Sequence, residues 1–242
     1  MKQYKPNFTA KKAKQLIFKM IKKTTNAMYK DTFDIVLENF LEVDDETALL
    51  MVIHSQVHEQ YSNELSDFIT EIIEFVGSYL SFGVSSEIKD NLINIANQTA
   101  VFTANKVKDM LQMQFITTNT ENKNDKLEVL KKFKKELENV IYIHVTNRLL
   151  VIIRHVLFMT YIAIVENTKK KLYVDWLPVL HDEFKHPICK ERKKLFKATD
   201  FEIVMNLYFD NAQKYKNKPL FEEGYTFLAP HYLCDGMFLA RR

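Results

Sequence analysis

A mainly α-helical fold, with an N-terminal multi-helix region and a small C-terminal α+β module, is what this sequence predicts. Three observations carry that expectation. The 242 residues include only five prolines and four glycines. Pro178, Pro187, Pro219 and Pro230 all lie late in the chain, so only Gly77 and Gly83 interrupt the long stretch after Pro6, and a proline-free stretch permits long helices. Apolar residues recur at three- and four-residue spacing before residue 168 and alternate after it, which is the change of period expected between helix and strand. At 47% apolar and 27% charged residues, the chain has enough apolar surface to bury a core.

Thr9 is placed to cap a first helix over residues 11–29, in which Ala13, Leu16, Ile17, Met20 and Ile21 share one face. Residues 31–41 read as a short second helix. Asp44, Asp45 and Glu46 suit the positive end of a third, which runs to about residue 61. Residues 62–80 form a fourth that ends near Gly83, and Ser86 opens another through about Phe115. The polar stretch 117–126 has no period and reads as a loop. A long helix over 127–167, with one break allowed, follows it. Residues 171–176 (KLYVDW) alternate and favour a strand, which Pro178 ends. Thr199-Asp200-Phe201-Glu202 has the form of a capping box and starts a helix through Asn211. Residues 225–228 and 237–240 are candidates for short strands. The expected division is a helical domain over 1–168 and the α+β module over 169–242.

Charge is unevenly spread. Residues 1–30 hold nine lysines and no acid, and residues 31–75 hold twelve acids and no lysine or arginine. Two readings stay open: local neutralisation within one chain, through a helical hairpin at Lys30–Asp31, or a head-to-tail contact between copies that closes into a homo-oligomeric ring. Nucleic-acid binding by the lysine arm is a third option, weakened by the absence of arginine there and by the acidic neighbour. Lysines interrupt every early apolar run, so no signal peptide is expected. Residues 149–165 are strongly apolar, but Arg154 and His155 sit among them, and they fall short of the roughly 20 residues of a membrane span. They read as a buried helix, with no membrane partner. Two cysteines do not make a disulfide framework, which suits an intracellular setting.

Both cysteines belong to one repeated pattern, His186-Pro187-Ile188-Cys189 and His231-Tyr232-Leu233-Cys234. Zinc takes four ligands tetrahedrally from thiolate and imidazole, and two turns of this spacing brought together would supply them. With seven histidines in the chain, chance places one three residues before both cysteines only about 0.1% of the time. The competing reading is two cysteines that are small core residues beside unrelated histidines. A zinc held by His186, Cys189, His231 and Cys234 would be structural, because four chain ligands leave no open position.

Other candidates carry less. His54 and His58 share a helix face, but no glutamate completes an HExxH register. Arg154 and His155 need polar partners if buried, with Glu166 or a backbone carbonyl in reach. The basic run 190–197 (KERKKLFK) reads as a solvated face. No Walker loop, GxGxxG, GxSxG or kinase motif is present.

From about His144 onward the chain resembles the minor head protein, or head morphogenesis, family of tailed bacteriophages (phage Mu F-like). That family shows a long helix, a strand ending in tryptophan, an acidic residue before a Cys-x-x-Cys turn, and a closing His-Pro-x-Cys-Arg-Cys segment. Here residues 149–166 match the helix and residues 171–176 the strand. Asp182 precedes His186-Pro-Ile-Cys189, and Ala229-Pro-His231-Tyr-Leu-Cys234 closes the module. His186 replaces the first cysteine, the glycine usual after the first turn is missing, and Asp235 and Gly236 stand where Arg-Cys would be. The resemblance implies a non-catalytic virion component at the portal vertex, assembled in the host cytoplasm. It would act in capsid assembly, head–tail joining or DNA delivery, as a minor head protein or a connector ring subunit. Its partners would be the portal protein, other head–tail proteins and packaged DNA. The competing functions are a nucleic-acid-binding protein and a metal-dependent hydrolase.

Overall fold

A computed structural model describes residues 2–43, 45–117, 123–210, 220, 222–223 and 225–242. The chain is mainly helical, with seven α-helices, one π-helical turn and three short strands among the described residues. In order these are α1 (Ala10–Glu42), α2 (Glu46–Leu80), α3 (Ser86–Thr117), α4 (Lys123–Asn139), the π turn (Val140–Val145) and α5 (Thr146–Thr168). Then follow β1 (Tyr173–Pro178), α6 (Pro187–Leu195), β2 (Thr199–Asp200), α7 (Phe201–Phe209) and β3 (Gly236–Ala240).

Several boundaries differ from the sequence expectation, for physical reasons. The helices expected over 11–29 and 31–41 are one, and so are those over 46–61 and 62–80. Neither junction contains proline or glycine, and a change of charge sign does not break backbone hydrogen bonding. Lys30–Asp31 therefore lies inside α1 and cannot form the hairpin. The turn between α1 and α2 comes later, where the Asp45 carboxylate accepts from the Ala48 N–H at 2.7 Å. Helix α4 begins at Lys123, within the stretch read as a loop, and residues 118–122 of that stretch lie outside the described residues, as do Asp44 and Asn211. The break allowed in the long helix is the π turn, whose sequence VIYIHV crowds β-branched side chains against the preceding turn.

The chain forms two compact units that do not divide at residue 168. One comprises Ile21–Thr70 and Asn91–Arg148. It is a helical bundle with Met28, Val36, Phe40, Ile53, Val57, Leu65, Val107, Leu111 and Phe133 in its core. Thr32 meets Tyr61 (2.5 Å) and Asn39 meets Gln56 (2.7 Å), a descending-to-ascending order that marks α1 and α2 as antiparallel. Phe40 stacks on Phe115 at 5.3 Å, and Gln114 donates to Glu136 at 2.9 Å.

The other unit comprises Met1–Met20, Glu71–Asp90 and Leu149–Arg242. Its sheet has the order β2-β1-β3, all antiparallel, with Trp176 opposite Phe238 and Pro178 opposite Gly236. Strand β1 buries Val174, Trp176 and Pro178 on one face, and β3 is buried along its whole length. Tyr79 donates to the Ala240 carbonyl (2.5 Å) and Tyr161 to that of Phe238 (3.2 Å), which fixes β3 in place. The chain start joins this unit: Tyr4 N donates to Lys171 O at 2.7 Å and Asn7 N to Tyr79 O at 2.8 Å. The residues expected as a strand over 225–228 form no strand; Thr226 and Ala229 close a turn instead. The run 126–168 is long and apolar enough to cross a membrane by length and composition, and 67% of its most apolar window is buried within the fold, as suits a core helix.

Candidate metal centre

The two His-x-x-Cys segments come from different local structures. In the first, His186 is the extended N-cap of α6 and Pro187 its first helical residue, where the missing proline N–H costs nothing. The sequence suggests a tight turn at both segments; here the helix places Cys189 in its first turn instead. In the second, residues 231–234 form a turn closed by Cys234 N donating to His231 O at 3.3 Å. Leu233 takes the left-handed conformation there, with φ of 57°.

Cys189, His231 and Cys234 converge, all buried, with their ligand atoms within 4.8 Å of one another. The sulfurs lie 3.4 Å apart as free thiols, and Cys189 Sγ is 3.1 Å from His231 Nε2. This group could hold a metal ion. His186, the fourth expected ligand, is not within that group; its ring stacks on that of His231 with centroids 3.7 Å apart.

The histidines are arranged as metal ligands usually are, with one ring nitrogen held by an oxygen acceptor. His231 Nδ1 is 2.7 Å from the Tyr232 carbonyl. A carbonyl only accepts, so Nδ1 carries the proton and Nε2 presents its lone pair to the sulfurs. His186 Nε2 is 3.1 Å from a Glu222 carboxylate oxygen, and its Nδ1 is buried with no hydrogen-bond partner among the described residues. Glu222 carries no sequence signal, because it is 36 positions from its partner and in no motif. Its backbone N–H donates to Pro230 O at 2.8 Å, which ties it to the residue before His231.

Cys189 and Cys234 are within hydrogen-bonding distance of each other, and each perturbs the other's titration in the opposite sense. The hydrogen bond from Cys189 holds the Cys234 thiol down to about 4, with further help from His231, Arg154 and the Gly236 N–H. The same bond, with burial, pushes Cys189 up. Burial works against the His231 imidazolium, but Cys234, the Tyr232 carbonyl and Glu222 together raise its pKa.

Two buried arginines complete the surroundings. Arg154, from α5, donates through Nε to Gly236 O at 2.8 Å and through Nη2 to Cys234 O. Its partners are these carbonyls rather than Glu166, while His155 Nε2 is buried with no hydrogen-bond partner among the described residues. Arg192 lies in the basic run 190–197, yet it is fully buried. Asp182, matched to the family's acidic residue, is exposed and faces Lys14 at 3.7 Å. Asp235, which the sequence marks only as a departure from the family's Arg-Cys, organises the neighbouring loop by accepting from Leu180 N (3.1 Å), His181 N (3.2 Å) and His181 Nδ1 (3.1 Å). His54 and His58 lie on α2, where His54 bonds Asn105 at 3.1 Å. No family model, curated protein or solved structure matches this chain.

Proposed function

We propose that the chain is a structural protein of a tailed-phage virion, a minor head protein or connector ring subunit at the portal vertex, whose C-terminal module is clasped by one zinc ion. The observation that carries the zinc is the meeting of Cys189 with His231 and Cys234 across more than forty residues. Tetrahedral zinc, with bonds of about 2.3 Å to sulfur and 2.0–2.1 Å to nitrogen, separates two sulfurs by about 3.8 Å and sulfur from nitrogen by about 3.6 Å. The separations of 3.4 and 3.1 Å are within a few tenths of an ångström of that. His186 would supply the fourth donor through Nδ1, whose lone pair has no other use, with Glu222 orienting the ring. Four chain ligands make such a zinc a cross-link between α6 and the 231–234 turn.

The virion assignment rests on the resemblance from His144 onward. It is supported by the same convergence, since that family's closing segment and first turn would have to meet. The portal protein and other head–tail proteins would be the partners, with the lysine arm and the acidic stretch available for contacts between copies in a ring. The test is genomic and biochemical. Genes for portal, terminase and capsid beside this one, and the chain in purified particles, are expected; a neighbourhood without virion genes would contradict the assignment.

A metal-dependent hydrolase is favoured by one observation: among the described residues three donors cluster within 4.8 Å, and a Glu222 carboxylate stands nearby. X-ray absorption on the metal-loaded chain separates the readings. Two sulfurs and two imidazoles fit the structural clasp, whereas a metal-bound water in place of His186 fits the hydrolase.

A further inference from the structure

Arg192 presents an unusual environment for a cation. Its side chain is fully buried, and its guanidinium carbon lies 3.9 Å from the Trp176 ring centroid, 4.6 Å from Phe227, 5.5 Å from Phe238 and 5.6 Å from Phe196. One nitrogen, Nη1, donates to Leu220 O at 2.8 Å, while Nε and Nη2 have no hydrogen-bond partner among the described residues. No carboxylate pairs with it among the described residues. Aromatic faces attract a guanidinium but do not accept its in-plane N–H bonds, so a buried arginine of this kind needs an anion or a strong acceptor close by.

The groups of this unit that a bound metal would hold as thiolates are the two cysteine sulfurs, and among the described residues Arg192 makes no hydrogen bond to either. Arg192 follows Cys189 by three residues on α6, a spacing that puts both side chains on one helix face. The Trp176 ring beneath the guanidinium also lies against Gly236, whose N–H donates to Cys234 Sγ at 3.3 Å. The charge of Arg192 is felt by both sulfurs: burial lowers the arginine to about 9, and Cys234 and Cys189 oppose that fall. It remains a cation at neutral pH.

We infer that Arg192 is a positioning residue for the metal centre, a permanent buried cation stacked on Trp176 whose charge favours the thiolate form of the sulfur pair and so raises the metal affinity. The inference rests on the zinc reading above. The guanidinium acts on the sulfurs through its charge and not through a hydrogen bond, so it does not compete with the metal for a lone pair. The aromatic box fixes the plane of the guanidinium, which a lysine in its place would not reproduce.

The experiment titrates the full chain with Co²⁺, reading the sulfur-to-cobalt charge-transfer band, for the parent, Arg192→Met, Arg192→Lys and Arg192→Gln. Outer-shell partners typically contribute about 10–100-fold in metal affinity, so Arg192→Met is expected to bind Co²⁺ that much more weakly, with the band shifted in energy. Arg192→Lys should recover part of the affinity, and Arg192→Gln, which keeps N–H donors and loses the charge, should recover less. Unchanged circular dichroism in the variants would place the effect at the metal rather than in the fold. If Arg192→Met does not fold, the order Lys above Gln still decides. Affinities within twofold of the parent and an unmoved band, or Gln at or above Lys, would overturn the inference and leave the zinc reading standing. A parent chain that gives no sulfur-to-cobalt band would remove the zinc reading itself.

Discussion

Gly236→Ala is the sharpest small perturbation that the C-terminal unit offers. A Cβ built at Gly236 would lie 2.5 Å from Cε2 and 2.8 Å from Nε1 of Trp176. Ordinary contacts between such atoms are about 3.5–4.0 Å, so the indole would have to retreat by roughly 1 Å. It has nowhere to go: Trp176 is buried, with Phe238 at 4.8 Å, Phe184 at 6.2 Å and the Arg192 guanidinium at 3.9 Å from its ring. Overpacking of this kind costs about 1–3 kcal/mol, and the rigid aromatic surroundings put this case at about 3 kcal/mol. Gly236 also donates to Cys234 Sγ and accepts from Arg154 Nε, so the strain falls on the metal centre and should weaken metal binding too. Gly77 in α2 is the control, because a Cβ there meets nothing within 4 Å, and alanine is about 0.5–1 kcal/mol better than glycine within a helix. Urea denaturation of both variants measures the difference. Gly236→Ala within about 0.5 kcal/mol of the parent would refute the packing argument, since ordinary surface substitutions lie in that range.

Leu233 is half-exposed and held in the left-handed conformation, which glycine adopts without strain. Leu233→Gly is therefore expected to cost nothing, whereas Leu233→Val should cost about 1 kcal/mol, because β-branched residues resist positive φ. Thermal denaturation of the metal-loaded protein checks both. Glu64 has its pKa raised by burial, then by Asp31 and Asp67, with Lys23 opposing. The unfolded state therefore ionises first as pH rises, and stability falls through the window between the ordinary glutamate value and the raised one. Glu64→Gln should stabilise the protein at pH 7 and lose that advantage in acid below the ordinary value, as denaturation at the two pH values would report. Substituting Lys11, Lys12, Lys19, Lys22 and Lys23 with glutamate should prevent ring assembly, read by sizing; normal rings would show that the arm is not the intersubunit contact, and an unfolded chain would show that its charges are neutralised within one copy.

The fold class and the candidate metal ligands are legible in the sequence because each rests on a local or repeated signal. Periodicity and the absence of proline mark the long helices, and the shared His-x-x-Cys spacing marks Cys189, His231 and Cys234, which converge, while His186 lies outside that group. What stays hidden depends on contacts far apart in the chain. Helix α6 reads as a solvated basic run because one of its three buried residues, beside Ile188 and Cys189, is Arg192, whose burial follows from Trp176, Phe227 and Phe238 around it. The cap of α7 is Asp200, which accepts from Glu202 N, while Thr199 pairs in β2; a capping box and a strand end look alike in sequence. Residues 225–228 have strand composition, but β1 already pairs with β2 and β3 on its two edges. Glu222 and Asp235 act on groups 36 and 54 positions away, a relation no periodicity encodes.

The central claim is that the two His-x-x-Cys segments hold a zinc ion, and elemental analysis of the purified chain tests it most directly. The parent is expected to carry one zinc per chain, and the chain with Cys189→Ser and Cys234→Ser to carry none, since each removed thiolate takes away a ligand that zinc prefers. A parent without stoichiometric metal, or a double variant that retains as much as the parent, would contradict the account.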